Sequence, residues 1–198
     1  MIEGIILAAG KSSRMIQLKP LMEIAGKPFL QHILDALTSA NIHVTHTVVG
    51  YRSDLIIEKT KKKTHCVRNE QYNLGQFSSL QTGIKALSPD CTAALVCLGD
   101  QPQIESTWIE TIVQAFKETN AIIVRPSFQG RSGHPLLLKK SLFDEILSMS
   151  PTDTAKTLLK NHIDQTLFVD IDSDAILYDA DTPGDVTFIS KFMSPSNE

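Results

Sequence analysis

Much of what usually declares a function is missing from this sequence. No apolar run reaches the ~18 residues needed to cross a membrane. No basic segment precedes the first apolar run, which argues against a secretory signal. Cysteine is scarce: Cys66, Cys91 and Cys97 are odd in number, lack metal-type spacing and read as reduced, mostly buried thiols. A net charge of −3 excludes the broad basic surface of a nucleic-acid binder, so any cationic site must be local. The six histidines form no HxxxH or HExxH pair, and there is neither a Walker A loop nor a dinucleotide GxGxxG. No Ser-His-Asp or Cys-His arrangement can be assigned. Repeats, low-complexity stretches and Gly/Ser linkers are also lacking. The expectation left standing is one domain over residues 1–198, cytoplasmic by default, with no membrane and no nucleic-acid partner.

What is present is alternation. A hydrophobic fraction of 42% suits a folded core. Apolar runs predict strands over 5–8, 44–49, 65–67, 93–98, 121–124, 135–138 and 167–169. Helical periodicity predicts helices over 28–40, 53–63, 79–87, 106–116, 142–149, 154–161 and 183–192. The run Ala93-Ala94-Leu95-Val96-Cys97-Leu98 is apolar on both faces, as the centre of a parallel sheet requires. This order predicts an α/β sheet with helices on both faces. Such sheets bind ligands beyond the carboxyl ends of their strands.

Three stretches that follow or flank strands carry chemistry. After the first strand comes Leu7-Ala8-Ala9-Gly10-Lys11-Ser12-Ser13-Arg14. Residues this small let a polyanion approach backbone N–H groups, and Arg14 and Lys19 add positive charge. The same loop also reads as a tight strand-to-helix connection with surface cations. Asp100 stands directly after the central strand, where a carboxylate can hold Mg²⁺ or cap a turn. Asp181 lies in Asp179-Ala180-Asp181-Thr182-Pro183-Gly184-Asp185, which equally makes a good helix start, with Asp185 favouring the N-terminal dipole. Only the fold can bring Asp100 and Asp181 together.

Taken together, these segments resemble the nucleotidyltransferases with a three-layer, Rossmann-like (GT-A-like), mostly parallel sheet. The matching motifs are Leu7-Ala8-Ala9-Gly10 with Arg14-Met15 and Lys19, then "NEQYNLGQFSSLQTGI", "LGDQP", "RPSFQGRSGHP" and "DADTPGD". They run in family order over residues 4–189, and the branch they resemble is the MobA-like NTP transferases, in particular the molybdenum cofactor cytidylyltransferases. The resemblance implies an enzyme that moves a nucleoside monophosphate from an NTP to a phosphate-bearing acceptor. It implies Mg²⁺ or Mn²⁺ on Asp100 and Asp181, and Arg14, Lys19 and Asp100 as the catalytic set. The nucleotide would lie against Leu7, Ala8, Ala9 and Gly10, with its phosphates on Arg14 and Lys19. Asn69, Ser78, Ser79 and Asp100 would stand near it, although Asn69 also suits a turn and the serines also suit a helix cap. Gln101, Arg125, Gly133 and His134 would face the acceptor, with His134 alternatively a plain strand-end residue. A molybdoenzyme or its chaperone is implied as a further partner.

Departures from the family pattern are Ile16 where a glycine follows Arg-Met, Gln76 and Phe77 ahead of the serines, and Lys156 where an arginine is usual. Ala9 in place of a second glycine favours CTP over GTP. Two other readings stay open: a sugar- or polyol-phosphate nucleotidyltransferase, and a nucleotide-binding regulatory module without turnover.

Overall fold

The computed structural model describes residues 1–11, 15, 17–60 and 62–193. Arg14 and Ile16 therefore lie outside the described residues. In chain order the strands are β1 (Ile2–Ala8), β2 (Glu23–Ile24), β3 (Lys27–Pro28), β4 (Thr45–Val49), β5 (His65–Arg68), β6 (Ala93–Leu98), β7 (Ile123–Phe128), β8 (Arg131–Ser132), β9 (Leu136–Lys139) and β10 (Thr166–Asp170). The helices are α1 (Phe29–Ser39), α2 (Ser53–Thr60), α3 (Gln76–Ala86), α4 (Ser106–Glu118), α5 (Phe143–Ser148), α6 (Ala155–Asn161) and α7 (Pro183–Met193).

The main sheet runs β10-β7-β9-β6-β1-β4-β5, with β8 hairpinned onto β7. Strands β6, β1, β4 and β5 are mutually parallel, as are β10 and β7, while β9 runs antiparallel between β6 and β7. Successive residues of the central strands feed opposite layers, as the two-residue period of a strand demands. Ile5, Val48, Ala94 and Val96 pack under α3, α5 and α6. Ile6, Val49, Leu95 and Cys97 pack under α1, α2 and α4. The expected three-layer fold, with a mostly parallel sheet, is thus what forms. Cys91 and Cys97 are buried, and burial pushes the Cys97 thiol up to about 12.

Three local expectations change. β9 is antiparallel, which the apolar run of residues 135–138 does not reveal. Helix α3 begins at Gln76 rather than 79, because Gly75 at φ +117 supplies the turn into it. Ser78 and Ser79 consequently sit inside the first turn instead of capping it. Two short hairpins also appear: Ala25-Gly26 and Gln129-Gly130 both have positive φ, the geometry of a two-residue turn between antiparallel strands.

The chain crosses from β1 to β4 and β5 on one side, then returns to β6 on the other side of β1. The strand order therefore reverses between β1 and β6, and a crevice opens at their carboxyl ends. A separate small core of Ile24, Phe29, Ala180 and Ile189 fixes α7 and the segment before it across that crevice.

Candidate active site

The crevice is a cleft of about 140 Å³ lined by Leu7, Ala8, Ala9 and Gly10 from the end of β1, Gly99 and Asp100 from the end of β6, Gln76 and Ser79 from α3, and Lys19 and Pro20. Gly99 donates its N–H to the Leu7 carbonyl at 3.0 Å, and a Cβ on it would press on Leu7 and Ala8. The two strand ends thus meet closely. Among the described residues, a Cβ on Gly10 would meet nothing within 4 Å.

The fold unites the two distant carboxylates. Lys19 Nζ donates to Asp100 Oδ2 at 3.0 Å and to Asp181 Oδ1 at 2.5 Å. The Ala180 N–H donates to the Asp100 carbonyl at 2.9 Å, locking the C-terminal segment to the end of β6. The Lys19 side chain is only 12% exposed. Burial pulls its pKa down, but hydrogen bonds and charge from Asp181 and Asp100 outweigh this and leave it above the ordinary lysine value. The ammonium is therefore held charged between two carboxylates.

A third carboxylate stands beside them. Asp179 Oδ1 accepts from Gln101 Nε2 at 2.9 Å, and burial together with the Asp100 charge raises its pKa. Gln103 donates to the carbonyls of Ala175 at 2.9 Å and Tyr178 at 2.7 Å, fastening the same segment. Its Oε1 is buried without a partner among the described residues. Neither Asp179 nor Gln103 was singled out from the sequence; the alternation Gln101-Pro102-Gln103 and the repeated aspartates are the signals that mark them. Asp185, expected to favour the helix dipole, also helps to close the start of α7, its Oδ2 accepting from the Thr182 N–H at 2.7 Å and the Asp181 N–H at 3.1 Å. The helix cap and the inward aim of the Asp181 carboxylate coexist.

The other sequence-derived candidates divide between two places. Asn69 and Ser78 are buried behind the cleft wall: Asn69 Nδ2 donates to Ser78 Oγ at 2.9 Å and Ser79 Oγ at 3.0 Å, and Ser78 Oγ reaches the carbonyls of Gly75 and Gln71 at 2.7 and 3.0 Å. This knot fixes the turn into α3 and leaves Ser79 in the lining. Gln101, Gly133 and His134 line a second cleft, of about 250 Å³, with Arg131, Ser132, Ile176 and Asp179. A Cβ on Gly133 would lie 2.1 Å from the Ile176 carbonyl oxygen, so packing alone demands glycine there. Burial, with the nearby Arg125 charge, pushes His134 down to about 4, which makes it a neutral imidazole at pH 7. Arg125 is half-buried, its Nε has no partner among the described residues, and desolvation lowers its pKa.

The donor set also bears on a metal. Among the described residues no cluster of three or more His, Cys, Asp or Glu side chains has metal-binding geometry. Two carboxylates converging on one cation position, at the rim of a cleft, nevertheless fit an ion that draws its remaining ligands from substrate phosphates and water, as Mg²⁺ does.

Known proteins share this architecture. A nucleotidyl transferase from Methanothermobacter, Mth528, superposes with a TM-score of 0.83 at 21% identity, covering 98% of each chain. Rv0371c of Mycobacterium tuberculosis, in a structure described as a complex with manganese, superposes with a TM-score of 0.79 at 23% identity over 96% of this chain and 98% of that one. The bifunctional protein GlmU of Listeria monocytogenes is 26% identical over 143 residues, which are 70% of this chain but 31% of that protein. This chain thus spans less than a third of the length of that relative. The model for the MobA-like NTP transferase domain matches residues 4–166, which contain both strand ends of the crevice, Lys19 and Asp100, and on that match the chain belongs to the MobA-like NTP transferase family.

Proposed function

We propose that the protein is a nucleotidyltransferase that moves CMP from CTP onto a phosphate-bearing small molecule, of the molybdopterin class, with release of pyrophosphate. The observation that carries this reading is the convergence of Asp100 and Asp181 on one cation position beside the Leu7–Gly10 backbone. Attack of an acceptor phosphate on the α-phosphorus develops negative charge on its oxygens and on the departing pyrophosphate. Rate enhancement then comes from positioning and from cations placed where that charge grows. The small residues Ala8, Ala9 and Gly10 admit the nucleotide against the backbone. Lys19, with Arg14, meets the phosphates. Asp100 and Asp181 are the residues that would hold Mg²⁺ or Mn²⁺, and the ion supplies neutralisation of phosphate charge. Gln101, Gly133 and His134 present the acceptor from the second cleft, and the neutral imidazole of His134 can donate or accept a hydrogen bond there without adding charge.

CTP is favoured over GTP because Ala9 replaces the second glycine of the guanylyl-type loop. Losing two needed hydrogen bonds to the wrong base would give roughly 100-fold discrimination. The test is pyrophosphate release from each of CTP, GTP, ATP and UTP with Mg²⁺ and molybdopterin, read as kcat/KM. CTP is expected to win; GTP ahead by about tenfold or more overturns the cytidylyl assignment and keeps nucleotidyl transfer. A second reading, transfer to a sugar or polyol phosphate, draws support from the GlmU likeness. Competition between such phosphates and molybdopterin separates the two. No pyrophosphate with any acceptor would favour a binding module instead.

A further inference from the structure

The resemblance places Lys19 on the triphosphate, whereas the structure places its ammonium between Asp100 and Asp181, in the position a divalent ion would share. One side chain cannot do both at once. We propose that Lys19 is a resident cation that holds the metal position until an NTP arrives, so that the divalent ion enters with the nucleotide and not before it. The inference rests on the nucleotidyltransferase reading for the identity of the incoming phosphates.

Three observations support it. Lys19 meets one carboxylate from the end of β6 and one from the segment ahead of α7, so a single ammonium bridges two elements that the metal would otherwise bridge. Its backbone is fixed independently of that contact: Leu18 and Pro20 are buried, and the N–H groups of Leu21 and Met22 donate to the carbonyls of Leu18 and Lys19 at 2.9 and 3.0 Å. The side chain is a four-carbon flexible stem, able to move its charge while its Cα stays in place. Finally, Asp179, held by Gln101 at 2.9 Å and joined to the Asp181 N–H through its carbonyl at 3.0 Å, adds negative charge at the same end and so favours a cation between Asp100 and Asp181. When triphosphate enters the adjoining cleft it offers the ammonium a better anion, and its departure removes a positive charge that competes with the ion for Asp100 and Asp181.

The experiment is Mn²⁺ binding followed by the electron paramagnetic resonance signal of the free ion, with and without a non-hydrolysable CTP analogue, and with no turnover required. The wild type should bind Mn²⁺ weakly alone and at least about tenfold more tightly with the analogue, since a unit positive charge a few Å from the ion opposes its entry. Lys19→Met should bind Mn²⁺ without nucleotide at least about tenfold more tightly than the wild type, because the competing charge is gone while the stem remains. Lys19→Arg, which keeps the charge, should behave as the wild type. Adding Asp181→Asn to Lys19→Met should abolish the gain. Thermal melting of each variant, with and without Mn²⁺, guards against misfolding: if Lys19→Met is unfolded, the comparison of the wild type with Lys19→Arg and with the analogue still decides. Equal nucleotide-free affinity in wild type and a folded Lys19→Met overturns the proposal, as does tight Mn²⁺ binding by the wild type alone. Pyrophosphate release distinguishes the two readings. If it is absent while Lys19→Met gains Mn²⁺, the resident-cation proposal stands and transfer falls; if it is present without that gain, the reverse holds.

Discussion

Two charge clusters, one buried and one half-buried, occupy opposite ends of the same central strands, and they are built on opposite principles. At the amino end, Glu3 of β1 is fully buried and accepts hydrogen bonds from His46 Nε2 on β4 at 2.8 Å, from the Ser88 N–H at 3.3 Å and from the Ser88 hydroxyl. Hydrogen-bond donors surround one carboxylate. At the carboxyl end, Asp100, Asp179 and Asp181 crowd around Lys19 beside an open cleft. There, among the described residues, several carboxylates gather around the Lys19 ammonium. The first arrangement satisfies every charge with protein and ties β1, β4 and the end of α3 together. The second keeps like charges close, which costs stability and leaves the cation exchangeable. Stability and binding capacity are thus separated along the strand axis, about five residues apart on β1.

The largest effect expected at the carboxyl end comes from Asp100→Asn. It preserves shape and removes the charge that meets Lys19. The rate of pyrophosphate release should fall by roughly 100- to 1,000-fold, the scale seen when one charge-stabilising group is deleted. The melting temperature should hold or rise, because a like charge has left the cluster. Activity at wild-type level would remove Asp100 from the chemistry and erase the contrast between the two ends.

Lys19→Ala should act more moderately. Charged hydrogen bonds to phosphate are worth roughly 1.5–3 kcal/mol, so kcat/KM for the NTP should drop about 10- to 100-fold. Removing the ammonium also takes away a positive charge that offsets the repulsion between Asp100 and Asp181, so a loss of stability at low ionic strength that Mg²⁺ restores is expected in melting curves. Unchanged kcat/KM would reduce the Leu7–Gly10 loop and Lys19 to a structural connection.

How much of this contrast was legible in the sequence differs between the ends. Asp100 could be picked out because it directly follows a six-residue apolar run, and Asp181 because it precedes Pro183 in a patterned stretch. Their meeting could not, since it depends on a small core of Ile24, Phe29, Ala180 and Ile189 drawn from both termini. Glu3 was invisible: a charged residue in the second position of a strand reads as solvent-facing, and its partners His46 and Ser88 come from distant segments. The antiparallel β9 was equally hidden, because an apolar run has no direction. The two hairpins were readable in principle from Ala25-Gly26 and Gln129-Gly130, whose glycines take positive φ. Strands of two residues carry no periodicity, so the flanking pattern does not mark these turns as hairpins.

The smallest expected effect on activity, and the sharpest test of the contrast, is Glu3→Gln. The amide can keep some of the hydrogen bonds but loses the charge that meets His46, and it introduces donors facing the Ser88 N–H. A buried group left with mismatched partners costs about 1–3 kcal/mol, which urea unfolding should report as a lower midpoint with an unchanged slope. The transfer rate of the folded protein should stay at wild type, because no residue of this cluster borders the cleft. The pH dependence follows from the direction of the Glu3 shift. Burial raises its pKa, but the hydrogen bonds from Ser88 and His46 outweigh burial and leave it below the ordinary carboxylate value of 4.5. A carboxylate with a depressed folded pKa contributes stability above its unfolded value and loses that contribution as pH falls through the folded one. Wild-type stability should therefore decline below about pH 4.5 with a component that Glu3→Gln lacks, so the two unfolding curves should converge on acidification. Convergence with unchanged activity would place the stabilising charge at the amino ends of the strands; a parallel loss of transfer rate would show that the two ends are coupled through β1.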